Sequence, residues 1–302
     1  MKSRVLRVRS YAKINLGLEV LGVRADGYHE LRTLFQSVDL HDDLILRLTP
    51  DGRVSLRCDH SGVPTDESNL AVRAARAILG FAKRNEGVEI VLKKRIPVAG
   101  GLGGGSSNAA ATLMALDRGL RLGLGASNLL LLARRLGADV PYFLVGGTAL
   151  GLARGDEVFA LARQLRAHVV IVDPERPVST AAVFRRVAAR LTPRENSRSI
   201  YYFGSSDLEG DAGFRALVNE LEDAALEEAP DLRAAVSRVR GVLSEAGARH
   251  MALSGSGSTY FGLFRDARRA QKAVAALRAL GFRALRCRTL TLDQYRKGVQ
   301  RG

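Results

Sequence analysis

The sequence predicts an α+β protein in two domains, and three observations carry that prediction. The first third alternates apolar residues with the period of half-buried strands. A glycine-rich segment at Gly100–Ser107 then opens a run with helical spacing. The tail reads strand, turn, strand, helix, strand, the order of a sheet with helices on one face. A chain of 302 residues is long enough for two ordinary cores, and the change of pattern near 160–170 divides it into 1–163 and 164–302.

Each element follows from its residues. Ile14, Leu16, Leu18 and Val20 alternate as a strand requires, and the polar segment Gly22–Tyr28 closes it with a loop. Leu44, Leu46 and Leu48 repeat the pattern. Asp51-Gly52 then turns the chain into Val54, Leu56 and Cys58, which reads as a hairpin. Leu70, Ala74, Ala77, Ile78 and Phe81 share one face of a helix that Ser68 or Asn69 caps. Val88, Ile90 and Leu92 form a strand that runs through Lys93-Lys94-Arg95 into the glycine-rich loop. Beyond it Ala109, Leu113, Leu116 and Leu120 set a helix starting near Ser106. Another helix spans about 128–136, with Ser127 as its N-cap and Gly137 as its stop. His168–Val172 is a buried strand ended by Asp173-Pro174. The polar stretch 192–212 reads as a loop, and 220–246 as helix interrupted at Pro230. Met251–Leu253, a Gly/Ser turn, Tyr260–Phe264, a helix over 267–280 and a strand over 282–288 complete the tail.

Composition narrows the function classes. No stretch approaches the roughly 20 apolar residues of a membrane helix, and the first residues lack the apolar core of a secretory signal. Cys58 and Cys287 are the only cysteines, too far apart in sequence for a metal spacing or a disulfide framework. The expected location is the cytoplasm. The net charge of +15 is unusual, and the stretch from Arg265 onward carries 11 Arg/Lys against 2 acids. Those charges are scattered through a helix and a strand, without aromatic stacking platforms. A solvated basic face fits them better than a nucleic-acid surface.

The chemistry concentrates at Pro97-Val98-Ala99-Gly100-Gly101-Leu102-Gly103-Gly104-Gly105-Ser106-Ser107. Five glycines in six positions remove the Cβ atoms that keep a backbone away from a bulky anion. The helix that follows offers free N–H groups and the positive end of its dipole, while Ser106 and Ser107 can cap it or donate to a phosphate. No Lys-Ser or Lys-Thr follows the glycines, so this is not a Walker A loop. No doubly wound βαβ series or acidic residue makes it a dinucleotide fingerprint. A flexible linker would not sit between a regular strand and a well-patterned helix.

This loop closely resembles the phosphate-binding motif of the galactokinase, homoserine kinase, mevalonate kinase and phosphomevalonate kinase superfamily. Ala12–Leu16, Arg24–Leu31, Gly137–Phe143 and Leu253–Ser258 extend the resemblance, in order, over nearly the whole chain. It is weakest across about 190–215. The Asp26-Gly27-Tyr28-His29 segment selects the branch whose acceptor is a cytidine diphosphate-linked methylerythritol. The resemblance implies a two-domain small-molecule kinase fold with a cleft between an N-terminal mixed α/β domain, 1–163, and a C-terminal ferredoxin-like α+β domain, 164–302. It implies ATP with Mg²⁺, metal ligands unassigned, and transfer to a 2-hydroxyl in the non-mevalonate route to isoprenoid precursors. It gives Lys13 and Asp139 the catalytic positions. Asn69, Pro97, Gly100, Gly101, Leu102, Gly103, Gly104, Gly105, Ser106 and Ser107 fall on nucleotide-binding positions, and Asn15, Tyr28, His29, Thr180 and Phe184 on acceptor-binding ones. Taken singly, several have plainer readings. Asp139 could begin the next helix, Lys13 could face water, Asn69 could be only a helix cap, and Phe184 could be core. Ser254–Ser258 could be no more than a tight turn. One departure is Tyr11, which stands where many relatives have Pro.

Overall fold

The computed structural model describes residues 5–190, 214 and 217–300, so the loop expected over 192–212 lies outside the described residues. The chain opens with two long strands, β1 (Val5–Val23) and β2 (His29–Thr49), paired antiparallel along their length. There follow β3 (Val54–Cys58), α1 (Leu70–Phe81), β4 (Gly87–Lys93), α2 (Gly104–Leu120), α3 (Gly125–Leu136), the single turn α4 (Tyr142–Val145), β5 (Thr148–Leu152) and β6 (Glu157–Ala160). The second half holds β7 (His168–Asp173), α5 (Thr180–Ala188), α6 (Glu222–Glu228), α7 (Pro230–Glu245), β8 (His250–Leu253), β9 (Tyr260–Phe264), α8 (Ala267–Ala279), β10 (Arg283–Arg288) and α9 (Leu292–Gln300).

The strands make two sheets. The first runs β3-β4-β2-β5-β6, with β1 added on β2. The second runs β10-β7-β9-β8, antiparallel throughout, which is the ferredoxin-like order expected for the second half. Pro230 sits in the first turn of α7, where its missing N–H costs nothing, and so divides α6 from α7 where the sequence predicts.

The structure departs from the sequence at Asp51-Gly52. This bend does not make a hairpin, because β4 inserts between β2 and β3, antiparallel to β2 and parallel to β3. The cause is local. The Asp51 carboxylate accepts from Thr49 and from the Arg53 N–H, which holds the bend open, and Gly87 threads into it. A Cβ at Gly87 would collide with Asp51, Thr49 and the Arg53 carbonyl. Two helix starts also move. α2 begins at Gly104 rather than near Ser106, and α3 begins at Gly125, so Ser127 lies inside it and does not cap it. The Asp117 carboxylate instead accepts the Leu124 N–H.

Packing joins the two sheets. Leu44, Leu46, Val88, Ile90 and Leu92 bury one face of the first sheet against α1 and α2, where Ala109, Ala110 and Ala111 allow close approach. In β7, Val170 and Val172 face the helices of the second half. Val169 and Ile171 face the other way, onto Ala12, Ile14 and Leu16 of β1. The second sheet is therefore buried on both faces, and β1 lies at the seam.

Candidate active site

β1 supplies the first functional groups because its register shifts near Tyr11 and Asn15 and, among the described residues, β2 is the only strand paired with it. Edge N–H groups must find other partners. The Lys13 N–H donates to the Leu102 carbonyl of the glycine-rich loop at 3.0 Å, and the Asn15 N–H to Ser254 Oγ at 3.3 Å. The Lys13 side chain is only 4% exposed, which rules out a lysine facing water. Its Nζ donates to Asn15 Oδ1 at 2.7 Å and lies 3.4 Å from Asp139 Oδ2. Asn15 is held in turn through Nδ2 to Thr33 Oγ1, 2.8 Å, whose hydroxyl donates to the Gly17 carbonyl. Asp139 is no helix cap, since α4 begins after Pro141 without a side-chain cap. Its carboxylate is 37% exposed and lines a cavity of about 660 Å³ together with Lys13, Asn15, Gly101 and Gly103.

The glycine-rich loop separates that cavity from a second cleft of about 360 Å³. Gly101, Gly103 and Ser106 line both. Asn69, Pro97, Gly100, Leu102, Gly104 and Gly105 line only the second. Asn69 both caps α1, accepting from the Ala71 N–H at 2.9 Å, and faces this cleft. Ser107 reaches neither cavity. Its hydroxyl is buried and donates to the Tyr11 carbonyl at 2.7 Å, and with α2 starting at Gly104 neither serine is an N-cap. Tyr11 itself packs against His41 and Tyr295, which anchors the end of α9 beside β1.

At the far end of the larger cavity stand Tyr28, His29, Thr180 and Phe184. His29 and Phe184 pack ring to ring at 4.8 Å. Burial lowers the His29 pKa, partly offset by a hydrogen bond to the Phe184 backbone. His29 Nε2 is buried and has no partner among the described residues. Phe184 packs against the second core and also lines the cavity. The Arg154 guanidinium lies 4.9 Å from the Tyr28 ring centre.

Several supports carry no signal in the sequence. A buried Lys94–Asp42 ion pair, 2.8 Å, stands behind Gly104, and Asp42 also accepts the N–H groups of Arg95 and Ile96. Asn219 Nδ2 donates to the Leu253 and Gly255 carbonyls. Only a charged pair separated by 52 positions, or an asparagine in the unpatterned run 217–220, could have hinted at them.

Two clefts joined by a glycine-rich loop at a helix start, with a buried lysine beside a carboxylate, define a small-molecule phosphotransferase. The chain matches the GHMP kinases N terminal domain over residues 69–147 and the GHMP kinases C terminal domain over 211–282. It is 42% identical over 279 residues to a 4-diphosphocytidyl-2-C-methyl-D-erythritol kinase of Chlorobium luteolum, covering 91% of this chain and 94% of the relative. A crystal structure of 4-(cytidine 5'-diphospho)-2C-methyl-D-erythritol kinase superposes with a TM-score of 0.75 at 36% identity, covering 94% of this chain and 99% of that one. Homoserine kinase from Cytophaga hutchinsonii shares the fold, with a TM-score of 0.74 at 21% identity over 96% of each chain. The chain belongs to the 4-diphosphocytidyl-2-C-methyl-D-erythritol kinase family of GHMP kinases.

Proposed function

We propose that this protein transfers the γ-phosphoryl group of ATP to the 2-hydroxyl of 4-diphosphocytidyl-2-C-methyl-D-erythritol, within non-mevalonate isoprenoid-precursor synthesis. The observation that carries the reading is the Lys13–Asp139 pair, 3.4 Å apart, in a cavity that shares Gly101, Gly103 and Ser106 with the cleft of the glycine-rich loop. An alcohol is a weak nucleophile at neutral pH, and Asp139 accepts its proton as the new O–P bond forms and the bond to ADP breaks. The Lys13 ammonium, beside that carboxylate, stabilises charge on the group in flight. Asn15 orients Lys13 and the acceptor. Tyr28 and Phe184 offer faces for the cytosine ring, and neutral His29 brings a ring nitrogen in need of a partner to the base edge. Thr180 lies beside them at the start of α5.

On the nucleotide side, Asn69, Pro97 and the segment Gly100–Ser106 receive ATP, with Ser107 fixing the helix to β1. The donor set suits a Mg²⁺ held mainly by phosphate oxygens and water. Among the described residues no cluster of three or more His, Cys, Asp or Glu could cage a metal, and Ser106 is the hydroxyl-bearing residue that lines both cavities. Bound there, the ion would neutralise triphosphate charge. We assign the nucleotide domain to 1–163 and the acceptor domain to 164–302, with α9 docked back on β1. Among the described residues no helix is long and apolar enough to cross a membrane, and we assign the protein to the cytoplasm, where the family's reaction would meet ATP.

The test is acceptor-dependent ADP release by the purified protein. Turnover with the diphosphocytidyl substrate, and none with homoserine or mevalonate, is expected. Turnover with either of the latter alone would reassign the acceptor.

A further inference from the structure

Ser254 carries a hydroxyl that the reaction above does not use. The residue is fully buried, at 0% exposure. Its Oγ donates to the Gly101 carbonyl at 2.9 Å and accepts the N–H of Asn15 at 3.3 Å. One oxygen therefore joins the glycine-rich loop to the strand that bears Lys13 and Asn15. The backbone of Ser254 is itself fixed, since its N–H donates to the Thr259 carbonyl and its carbonyl accepts from Gly257, both at 3.0 Å. On either side, the Leu253 and Gly255 carbonyls accept from the single amide nitrogen of Asn219, at 3.0 and 2.7 Å. Asn219 Oδ1 accepts the Leu221 N–H, so the clamp is tied to the start of α6. The next residue along, Ser256, meets Thr180 hydroxyl to hydroxyl at 2.8 Å.

We infer that Ser254, clamped by Asn219, is a positioning residue that sets the separation between the phosphate loop and the Lys13–Asn15–Asp139 group. The inference rests on the phosphoryl transfer proposed above and deepens it. In-line transfer needs the reacting atoms about 3–3.5 Å apart, and a misplacement of about 1 Å can cost 10²-fold in rate. The two substrates bind in separate cavities that meet only at the loop, so contacts across that seam fix their distance. Direct ones run from the Lys13 N–H to Leu102 and from the Ser107 hydroxyl to the Tyr11 carbonyl. Ser254 adds a bridge beside Lys13 and Asn15 themselves, and a hydroxyl suits the place because it must donate to a carbonyl and accept from an amide at once.

The test compares Ser254→Ala, Asn219→Asp and the double variant with the wild-type full chain, using ATP and the diphosphocytidyl acceptor. Ser254→Ala removes only the hydroxyl, and Asn219→Asp keeps the shape but replaces both donors. Turnover is normalised to the fraction of molecules that bind nucleotide, so partial misfolding does not enter. Each single variant should lower kcat by about 10- to 10²-fold, with KM for both substrates within about threefold. The double variant should lose little more than the worse single one, because both act through one strap. A kcat within twofold of wild type for Ser254→Ala overturns the inference, as does a rise in KM at constant kcat, or losses that multiply in the double variant. If the wild-type protein itself fails to phosphorylate the acceptor, the proposed function fails and this inference with it.

Discussion

Lys13 and Asp139 show how a side chain's role depends on what surrounds it. Each has an ordinary reading when taken alone, as a strand lysine or a helix-starting carboxylate. Burial of one and the uncapped start of α4 remove both readings. Asp139→Asn keeps the shape and removes the carboxylate proposed to accept the proton. Its kcat should fall by about 10² or more with ATP affinity near normal, and steady-state kinetics with nucleotide titration checks both. His250 makes a different prediction. Burial pushes its pKa down to about 4 from 6.5, against the opposing pull of a hydrogen bond to the Leu16 carbonyl. Between those two values the unfolded chain binds the proton and the folded chain does not, so stability falls as pH drops through that window. The loss amounts to about 3 kcal/mol. In His250→Gln, urea midpoints measured from pH 7 to pH 4 should decline less steeply than in the wild type. An unchanged slope would mean that other groups drive the acid loss.

At the scale of elements, the glycine-rich loop between a strand and a helix was legible, but its neighbours were not. Three of its five glycines are required by protein atoms and a fourth is tight. A Cβ at Gly100 would strike Thr259, at Gly101 the Ser254 carbonyl and at Gly103 the Phe143 ring, while at Gly104 it would press on the Lys94 ammonium at 3.0 Å. Gly105 alone meets nothing closer than ordinary contact, with Leu70 at 3.7 Å. Gly105→Val is therefore the clean probe of the loop. It should raise KM for ATP at least tenfold by crowding the cleft, without loss of helix stability, since valine is the better helix former. Retained ATP affinity in a binding titration would argue that the phosphates lie elsewhere. Strand and helix identities followed from periodicity, because one-sided burial imposes it on the sequence. The partner of each strand did not. Nothing in the alternation of Leu44, Leu46 and Leu48 announces that β4 will come between β2 and β3, since that depends on Gly87 fitting a bend formed 35 residues earlier. Asn219 and Ser254 escaped for the same reason, as each matters through partners distant in the chain.

For the molecule as a whole, β1 is the axis. One set of its residues packs with β7 and the other elements of the seam, so the two sheets cannot separate without exposing core. Ile171→Ala, at a fully buried position of that seam, should cost about 2–5 kcal/mol, and both halves should still unfold in one transition. Two transitions, seen by a probe in each half, would show that the halves are energetically independent. The same seam bears on how the protein is born. Residue 13 leaves the ribosome long before residue 254, and at roughly 5–20 residues per second the interval is on the order of 10 to 50 s. Until Ser254 arrives the Asn15 amide lacks its partner, so for that interval a nascent chain carries the glycine-rich loop without the strap proposed to position it.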